Sequence, residues 1–304
     1  MTSRRRRSVL YVPASHARAV EKTRGLPCDV VILDLEDAVA PEAKAQARAQ
    51  AVAAVLAGGF GARELVVRVN GLDTPWGEAD LEAVVAARPD AILVPKVARR
   101  ADLRPFEARL AAAGAGPGAN QGEGESAGAR GIALWAMIET AASIFHLQEI
   151  AAAAAEGPLA ALVVGTNDLA KEACMRLGTE RRPLLGALGL VVLAARAHGL
   201  AAIDGVFNAL DDAAGLEAQC AQGRDFGFDG KTLVHPSQVE PCNAAFTPDA
   251  AAVEAARRIV AAFAAAENAG QGALRVDGQM VERLHLVEAR RTLAMAGVES
   301  TGTG

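Results

Sequence analysis

Residues Val30 to Val39 read VVILDLEDAV, an apolar run of β-branched and leucyl side chains that ends in a cluster of acids just before Pro41. Such a run is what a strand buried on both faces requires, and Pro41 suits the first turn of a following helix, where its missing N–H loses no intrahelical bond. Asp34, Glu36 and Asp37 then stand at the C-terminal end of that strand. Like charges crowded into a low-dielectric mouth repel unless a cation or a proton intervenes, so this end is a candidate site.

The same pattern recurs outward in both directions. Apolar runs ending in polar residues occur at Ser8–Pro13, Val30–Asp37, Glu64–Asn70, Ala91–Lys96, Ala133–Thr140, Ala161–Asp168, Ala201–Val206 and Lys231–Pro236. The stretches between them have helical length and periodicity, as at Leu81, Val84 and Val85, or Leu188, Val191 and Val192. Alternation of this kind demands a parallel sheet, and eight such units predict an α/β fold, a (β/α)8 TIM barrel over residues 1–245. Residues 246–304 are expected to form a C-terminal helical extension: helices at Asp249–Ala266 and Val281–Ala296 flank a loop or short hairpin at Gly270–Gly278. It would act as a lid or subunit-exchange arm, or else simply cover the barrel wall. The Gly- and Ala-rich stretch GAGPGANQGEGESAGAR, residues 114–130, reads as a mobile surface loop without an assigned function.

Composition narrows the class. Hydrophobic residues make up 51% of the 304-residue chain but aromatics only 4%, so the core must be built from Ala, Val, Leu and Ile. A net charge of −5 argues against a general nucleic-acid binder, and the basic run Arg4–Arg7 reads as a solvated arm. The apolar segment VLYVP that follows is too short for a secretion signal, and no apolar stretch is long enough to span a membrane. Cys28, Cys174, Cys220 and Cys242 lack metal or redox spacing, which fits reduced thiols in a cytoplasmic protein.

Chemistry in barrels of this type sits at the C-terminal strand ends. Those ends carry Glu36 and Asp37, Arg68 and Asn70, Lys96, Glu139, Asp168, Asp204 and His235. Glu139 and Asp168 would close neighbouring fifth and sixth strands, and a carboxylate pair there suits a hard divalent cation such as Mg²⁺. Asp168 has a second reading as a helix cap. Arg68 ends an apolar strand and needs an anionic partner, whether Glu36 or Asp37 or an anionic group of a ligand. Lys96 and His235 are weaker signals, and a lone His at a strand end has an ordinary structural reading.

With these residues assembled, the chain resembles the citrate lyase β-subunit-like CoA-ester lyases, within the HpcH/HpaI aldolase/citrate lyase superfamily. The resemblance is carried by RSVLYVPASHARAVEK, DLEDAVAPEAKAQAR, VVRVN, ILVPK, MIET, VVGTNDLAKE, AIDGV and GFDGKTLVHPSQV, in order from residue 7 to about 240. It implies a Mg²⁺-dependent barrel enzyme that cleaves or forms a carbon–carbon bond in a 3-hydroxyacyl thioester such as malyl-CoA, citramalyl-CoA or citryl-CoA, giving acetyl-CoA and a 2-oxoacid. It places metal ligands on Glu139 and Asp168, the substrate-orienting arginine on Arg68, and accessory acids on Glu36 and Asp37. It also places CoA-binding cations on Arg18 and Lys22, and it implies a homo-oligomer, a trimer or its multiple.

One segment departs from the family pattern. The tail motif that resembles DGxMID in lyases reads DGQMVERL here, so Glu282 stands where the family's acid/base aspartate would. Glutamate is longer by one methylene, and a different thioester or a thioesterase activity becomes an alternative to carbon–carbon cleavage. Two further readings are a 2-oxoacid aldolase acting on free acids and a complex-dependent or non-catalytic subunit working on an acyl-carrier protein. LEDAV lacks the histidine usual in the aldolases, and retention of Arg68, Glu139 and Asp168 argues against loss of chemistry.

Overall fold

In the computed structural model, which describes residues 4–116, 131–178, 180–265, 268 and 270–298, the chain divides into two compact units. The larger, Arg6–Asn243, is a closed barrel of eight parallel strands in sequential order, with the last pairing to the first. Its strands are β1 (Ser8–Pro13), β2 (Val30–Asp34), β3 (Glu64–Arg68), β4 (Ala91–Val94), β5 (Ala133–Ile138), β6 (Leu159–Val164), β7 (Ala201–Asp204) and β8 (Gly230–Leu233). Every residue of β2, β3, β4 and β8 is buried, as two-sided packing demands.

The helices of this unit are α1 (Ala17–Thr23), α2 (Lys44–Ala57), α3 (Gly77–Ala87), α4 (Arg104–Ala112), α5 (Ala141–Phe145), α6 (Leu147–Ala152), α7 (Thr166–Glu172), α8 (Leu185–Ala197) and α9 (Ala213–Phe226), while α10 (Val239–Phe246) crosses the boundary. The strands end earlier than the sequence pattern suggests, because the polar residues after each apolar run already belong to the βα loops. The clearest case is β6, which stops at Val164. Asp168 is therefore not a strand end but lies in the first turn of α7, a helix that the apolar pattern did not reveal. The helical stretch between β5 and β6 is divided at His146 into α5 and α6, and the His146 Nδ1 is 2.8 Å from the Ala142 carbonyl oxygen. Of the expected surface loop, residues 117–130 lie outside the described residues.

Alternation along the strands decides what points inward. Val9, Val30 and Ile32, Val66, Leu93, Trp135 and Met137, and Ala161 and Val163 form one buried cluster at the barrel's centre. Two residues on in the same phase come Tyr11, Asp34, Arg68, Glu139 and Gly165. The inward row of each strand thus passes from apolar packing to polar groups as it reaches the C-terminal rim.

Asp204 and His235, two rim candidates, prove structural. Asp204 is fully buried and accepts from Arg181 Nη1 at 2.7 Å, Lys231 Nζ at 3.0 Å and the Gly205 N–H at 2.8 Å. Burial alone would raise its pKa, but Lys231 and Arg181 outweigh that and hold it below the ordinary carboxylate value. His235 is exposed and caps a 3₁₀ turn at Pro236–Gln238, its Nδ1 accepting from the Ser237 N–H.

The smaller unit comprises, among the described residues, Ala244 to Val298 together with Arg4 and Arg5. It contains α11 (Ala250–Ala264), the hairpin β9 (Ala273–Val276) and β10 (Gln279–Glu282), and α12 (Arg283–Ala296). Ala256, Val260, Leu286, Ala289 and Leu293 form its core. The hairpin turns at Asp277 and Gly278, both at positive φ, as a two-residue turn between twisted strands requires. Among the described residues no helix is long and apolar enough to cross a membrane.

Removing the central acid of the Asp204 cluster leaves two cations buried without their shared anion. Asp204→Ala is expected to cost about 3–5 kcal/mol in denaturant unfolding. A loss below about 1 kcal/mol would show that the cluster does not anchor β7 to β8.

Candidate active site

The organising contact of the rim is between β2 and β3, where Asp34 and Arg68 are register partners. Both are buried, at 1% and 7% exposure. Arg68 Nε donates to Asp34 Oδ1 at 2.7 Å and Nη2 donates to Oδ2 at 2.6 Å, a two-pronged bond that fixes the guanidinium plane. Asp34 also accepts the Glu36 N–H at 2.9 Å and so shapes the turn leaving β2. The sequence offers Glu36, Asp37 or a ligand anion as partners of Arg68. Glu36 does pair with it, 2.7 Å from Nη1, but the bidentate partner is Asp34, whose inward strand phase is the signal for it.

Glu36 and Asp37 stand farther out. Glu36 is buried, with Oε2 2.7 Å from Arg68 Nη1 in an ion pair without hydrogen-bond geometry and Oε1 3.1 Å from Lys96 Nζ. Burial, assisted by Asp37, raises its pKa against the pull of Arg68 and Lys96. The Asp37 side chain is 56% exposed and lies 4.0 Å from Arg68 Nη1.

Behind this loop, Lys44 is buried and donates to the carbonyl oxygens of Leu35 and Glu36 and to Asn70 Oδ1, each at 2.8 Å. Asn70 in turn donates to Asp80, which pairs with Arg48 at 2.6 Å. This support was missed because Lys44 reads in the sequence as one more polar helix residue.

Glu139 follows β5 and is 1% exposed. Its Oε1 accepts the Lys96 N–H at 2.7 Å, a bond made possible by the left-handed backbone at Lys96, φ 52°. Lys96, weak in the sequence, therefore holds two acids, one through its ammonium and one through its backbone. Oε2 of Glu139 is buried with no hydrogen-bond partner among the described residues. Burial first, then Glu36, and to a smaller degree Asp168, push the Glu139 carboxyl up to about 7. Gly165 makes room for it, since a Cβ at that position would lie 2.5 Å from both Cβ and Oε2 of Glu139.

A cavity of about 330 Å³ opens here, walled in part by Tyr11, Asp37, Arg68, Met137, Gly165 and Asp168. No group of three or more His, Cys, Asp or Glu side chains forms a metal cage among the described residues. The pair Glu139 and Asp168 nevertheless fits Mg²⁺, which binds through one or two carboxylates and keeps several waters. The unpartnered, buried Oε2 and the elevated pKa are what a carboxylate awaiting a cation displays.

The remaining expected site residues lie apart. Arg18 and Lys22 are exposed, one turn apart on α1, with no side-chain partner among the described residues. Glu282 ends β10 in the smaller unit and precedes α12, its backbone N–H donating to His285 Nδ1 at 2.9 Å.

A parallel barrel with a charged, partly buried cavity at the C-terminal rim defines a (β/α)8 enzyme architecture. The profile of the HpcH/HpaI aldolase/citrate lyase family matches residues 7–236, and the chain belongs to that family. It is 50% identical over 290 residues to a (3S)-malyl-CoA thioesterase of Cereibacter sphaeroides, covering 95% of this chain and 94% of that protein. It is 34% identical over 307 residues to an L-malyl-CoA/beta-methylmalyl-CoA lyase of the same species, covering 94% and 93%. The crystal structure of CitE from Mycobacterium tuberculosis in complex with magnesium, acetoacetate and coenzyme A matches with a TM-score of 0.75 at 27% identity, over 98% of this chain and 100% of that one.

The raised pKa of Glu139 fixes the sign of a pH effect in the metal-free protein. Between the ordinary value of 4.5 and about 7 the folded chain binds more protons than the unfolded one, so stability falls as pH rises through that window. The full loss is about 3 kcal/mol, and Glu139→Gln is expected to flatten this part of the stability profile in EDTA. Gly165→Ala is expected to displace Glu139 and to cost about 1–3 kcal/mol in denaturant unfolding at pH 5.

Proposed function

We propose that the chain hydrolyses a malyl-type CoA thioester to the free acid and CoA. The observation that carries this reading is the 50% identity, across 95% of the chain, with a (3S)-malyl-CoA thioesterase. The cavity's chemistry supports it, because Arg68 is a fixed cation at the inner wall and carboxylates line the approach. Carbon–carbon cleavage to acetyl-CoA and glyoxylate is the second reading, favoured by the 34% identity with a malyl-CoA lyase.

In thioester hydrolysis, a water oxygen adds to the thioester carbonyl carbon while a base accepts one of its protons. The tetrahedral oxyanion collapses, the carbon–sulfur bond breaks, and the CoA sulfur leaves as a thiolate. In this proposal Arg68 faces the carbonyl oxygen as charge develops on it, and Asp34 spares the guanidinium any reorganisation at that moment. Glu139 and Asp168 would hold Mg²⁺, which supplies Lewis-acid stabilisation to substrate oxygens. Glu36 and Lys96 keep Glu139 and Arg68 in register, and Asp37 has the exposure to exchange a proton with water. Arg18 and Lys22 would meet the phosphates of CoA.

Glu282 is a second candidate base, on the resemblance of DGQMVERL to the family's tail motif. Asp37→Asn and Glu282→Gln separate the two, since the variant that loses the base should lose kcat about 100-fold or more and the other should change little.

The activity itself is tested by incubating the protein and Mg²⁺ with (3S)-malyl-CoA and following free thiol and malate against acetyl-CoA and glyoxylate. Thiol release matched by malate is expected, and Arg68→Met should lower kcat by about 100- to 1,000-fold. Absence of thiol release would sink the hydrolase reading, and acetyl-CoA in its place would establish the lyase. Apart from activity, Mg²⁺ is expected to raise the melting temperature more at pH 8 than at pH 5, and not at all in Glu139→Gln.

A further inference from the structure

Tyr11 lies in the C-terminal half of β1 and lines the cavity together with Arg68. Its ring lies under the guanidinium, with the centroid 4.9 Å from the Arg68 Cζ. Its hydroxyl donates to Met137 Sδ at 3.7 Å, and Arg68 Nη1 donates to the same sulfur, also at 3.7 Å. Two strong donors therefore converge on one thioether, among the weakest acceptors a protein offers. The other side-chain nitrogens in the pair, Arg68 Nε and Nη2, are committed to Asp34. Arg68 Nη1 also stands 2.7 Å from Glu36 Oε2, in an ion pair without hydrogen-bond geometry, so the hydroxyl and the neighbouring Nη1 N–H are hydrogen-bonded only to the Met137 sulfur.

We infer that Tyr11 Oη and Arg68 Nη1 form a two-donor cradle for the oxygen that becomes negatively charged in the reaction, with Tyr11 a catalytic residue in its own right. This rests on the proposed thioester hydrolysis, in which water adds to the carbonyl carbon, the carbonyl oxygen takes the negative charge, and that charge returns as the carbon–sulfur bond breaks. Tyr11 donates a hydrogen bond throughout and transfers no proton. Burial raises its pKa despite the opposing effect of Arg68, so the hydroxyl keeps its proton across the working range. The apolar neighbour Met137 satisfies the donors only weakly at rest, which leaves little hydrogen bonding to be broken when the oxyanion forms.

Tyr11 is the only tyrosine in the chain, which makes the test site-specific without assignment. Tyr11→Phe keeps the ring against Arg68 and removes only the hydroxyl. It is expected to lower kcat for (3S)-malyl-CoA about 100-fold, with KM and the melting temperature little changed. In parallel, protein carrying ¹³Cζ-tyrosine is titrated with Mg²⁺ and malate, the product whose new carboxylate takes the place of the thioester carbonyl, with saturation confirmed by calorimetry. The single tyrosine signal is expected to move downfield as its hydroxyl donates to an anionic oxygen. Wild-type hydrolysis together with a full-rate Tyr11→Phe variant, or with an unmoved signal at saturation, would overturn the cradle and leave the hydrolase reading intact. No hydrolysis but a shifted signal would remove the hydrolase reading and retain the cradle as an anion-binding pair. No hydrolysis and no shift would overturn both.

Discussion

The bond between Asp34 and Arg68 is the contact on which the rim depends. An arginine buried at the end of an apolar strand is costly to desolvate, and it is tolerated here because a carboxylate on the neighbouring strand meets it in the same plane with two short bonds. Register does the positioning, since the parallel pairing of β2 with β3 sets the two residues side by side. With two guanidinium nitrogens held by Asp34, the third stands between Glu36, 2.7 Å away, and the Met137 sulfur, 3.7 Å away. Glu36, Lys96 and Glu139 then follow in a chain of contacts, each restrained by the one before it.

The acids of this site are arranged by unequal environments. Asp34 is neutralised by a direct partner, Asp37 remains in solvent, and Glu36 shares two cations. Glu139 keeps a buried oxygen with neither a hydrogen-bond donor nor an ion-pair partner among the described residues, and its pKa rises to about 7. Electrostatic stress is thus concentrated on one group beside Gly165 and Asp168, where a cation would relieve it. Arg68, Tyr11 and Asp168 line the same cavity, so a cation, a hydroxyl and a carboxylate face one space.

Much of this is legible in the sequence alone. The apolar runs gave eight strands in the right order, because burial on both faces leaves an unambiguous apolar signature. Glu139, Asp168 and Arg68 are rim candidates because they are ionisable groups at the ends of those runs, and the structure brings them to one rim, with Asp168 in a helix turn rather than on a strand. Asp204 and His235 had the same appearance and turned out to be an ion-pair anchor and a turn cap. Sequence pattern cannot tell these cases apart, because a charged residue after an apolar run looks the same whether its partner is a buried lysine or a ligand.

The sequence by itself determined the barrel, the family resemblance and the set of polar residues delivered to one rim, since these follow from local periodicity and motif order. Tertiary structure decided how those residues are paired. The Asp34–Arg68 clamp, the grip of Lys44 on the Glu36 loop, the backbone bond from Lys96 to Glu139, and the meeting of Tyr11 with Arg68 over Met137 all join residues from different strands and loops. Their strength depends on distances of a few tenths of an ångström and on strand register, quantities that exist only once the barrel has closed.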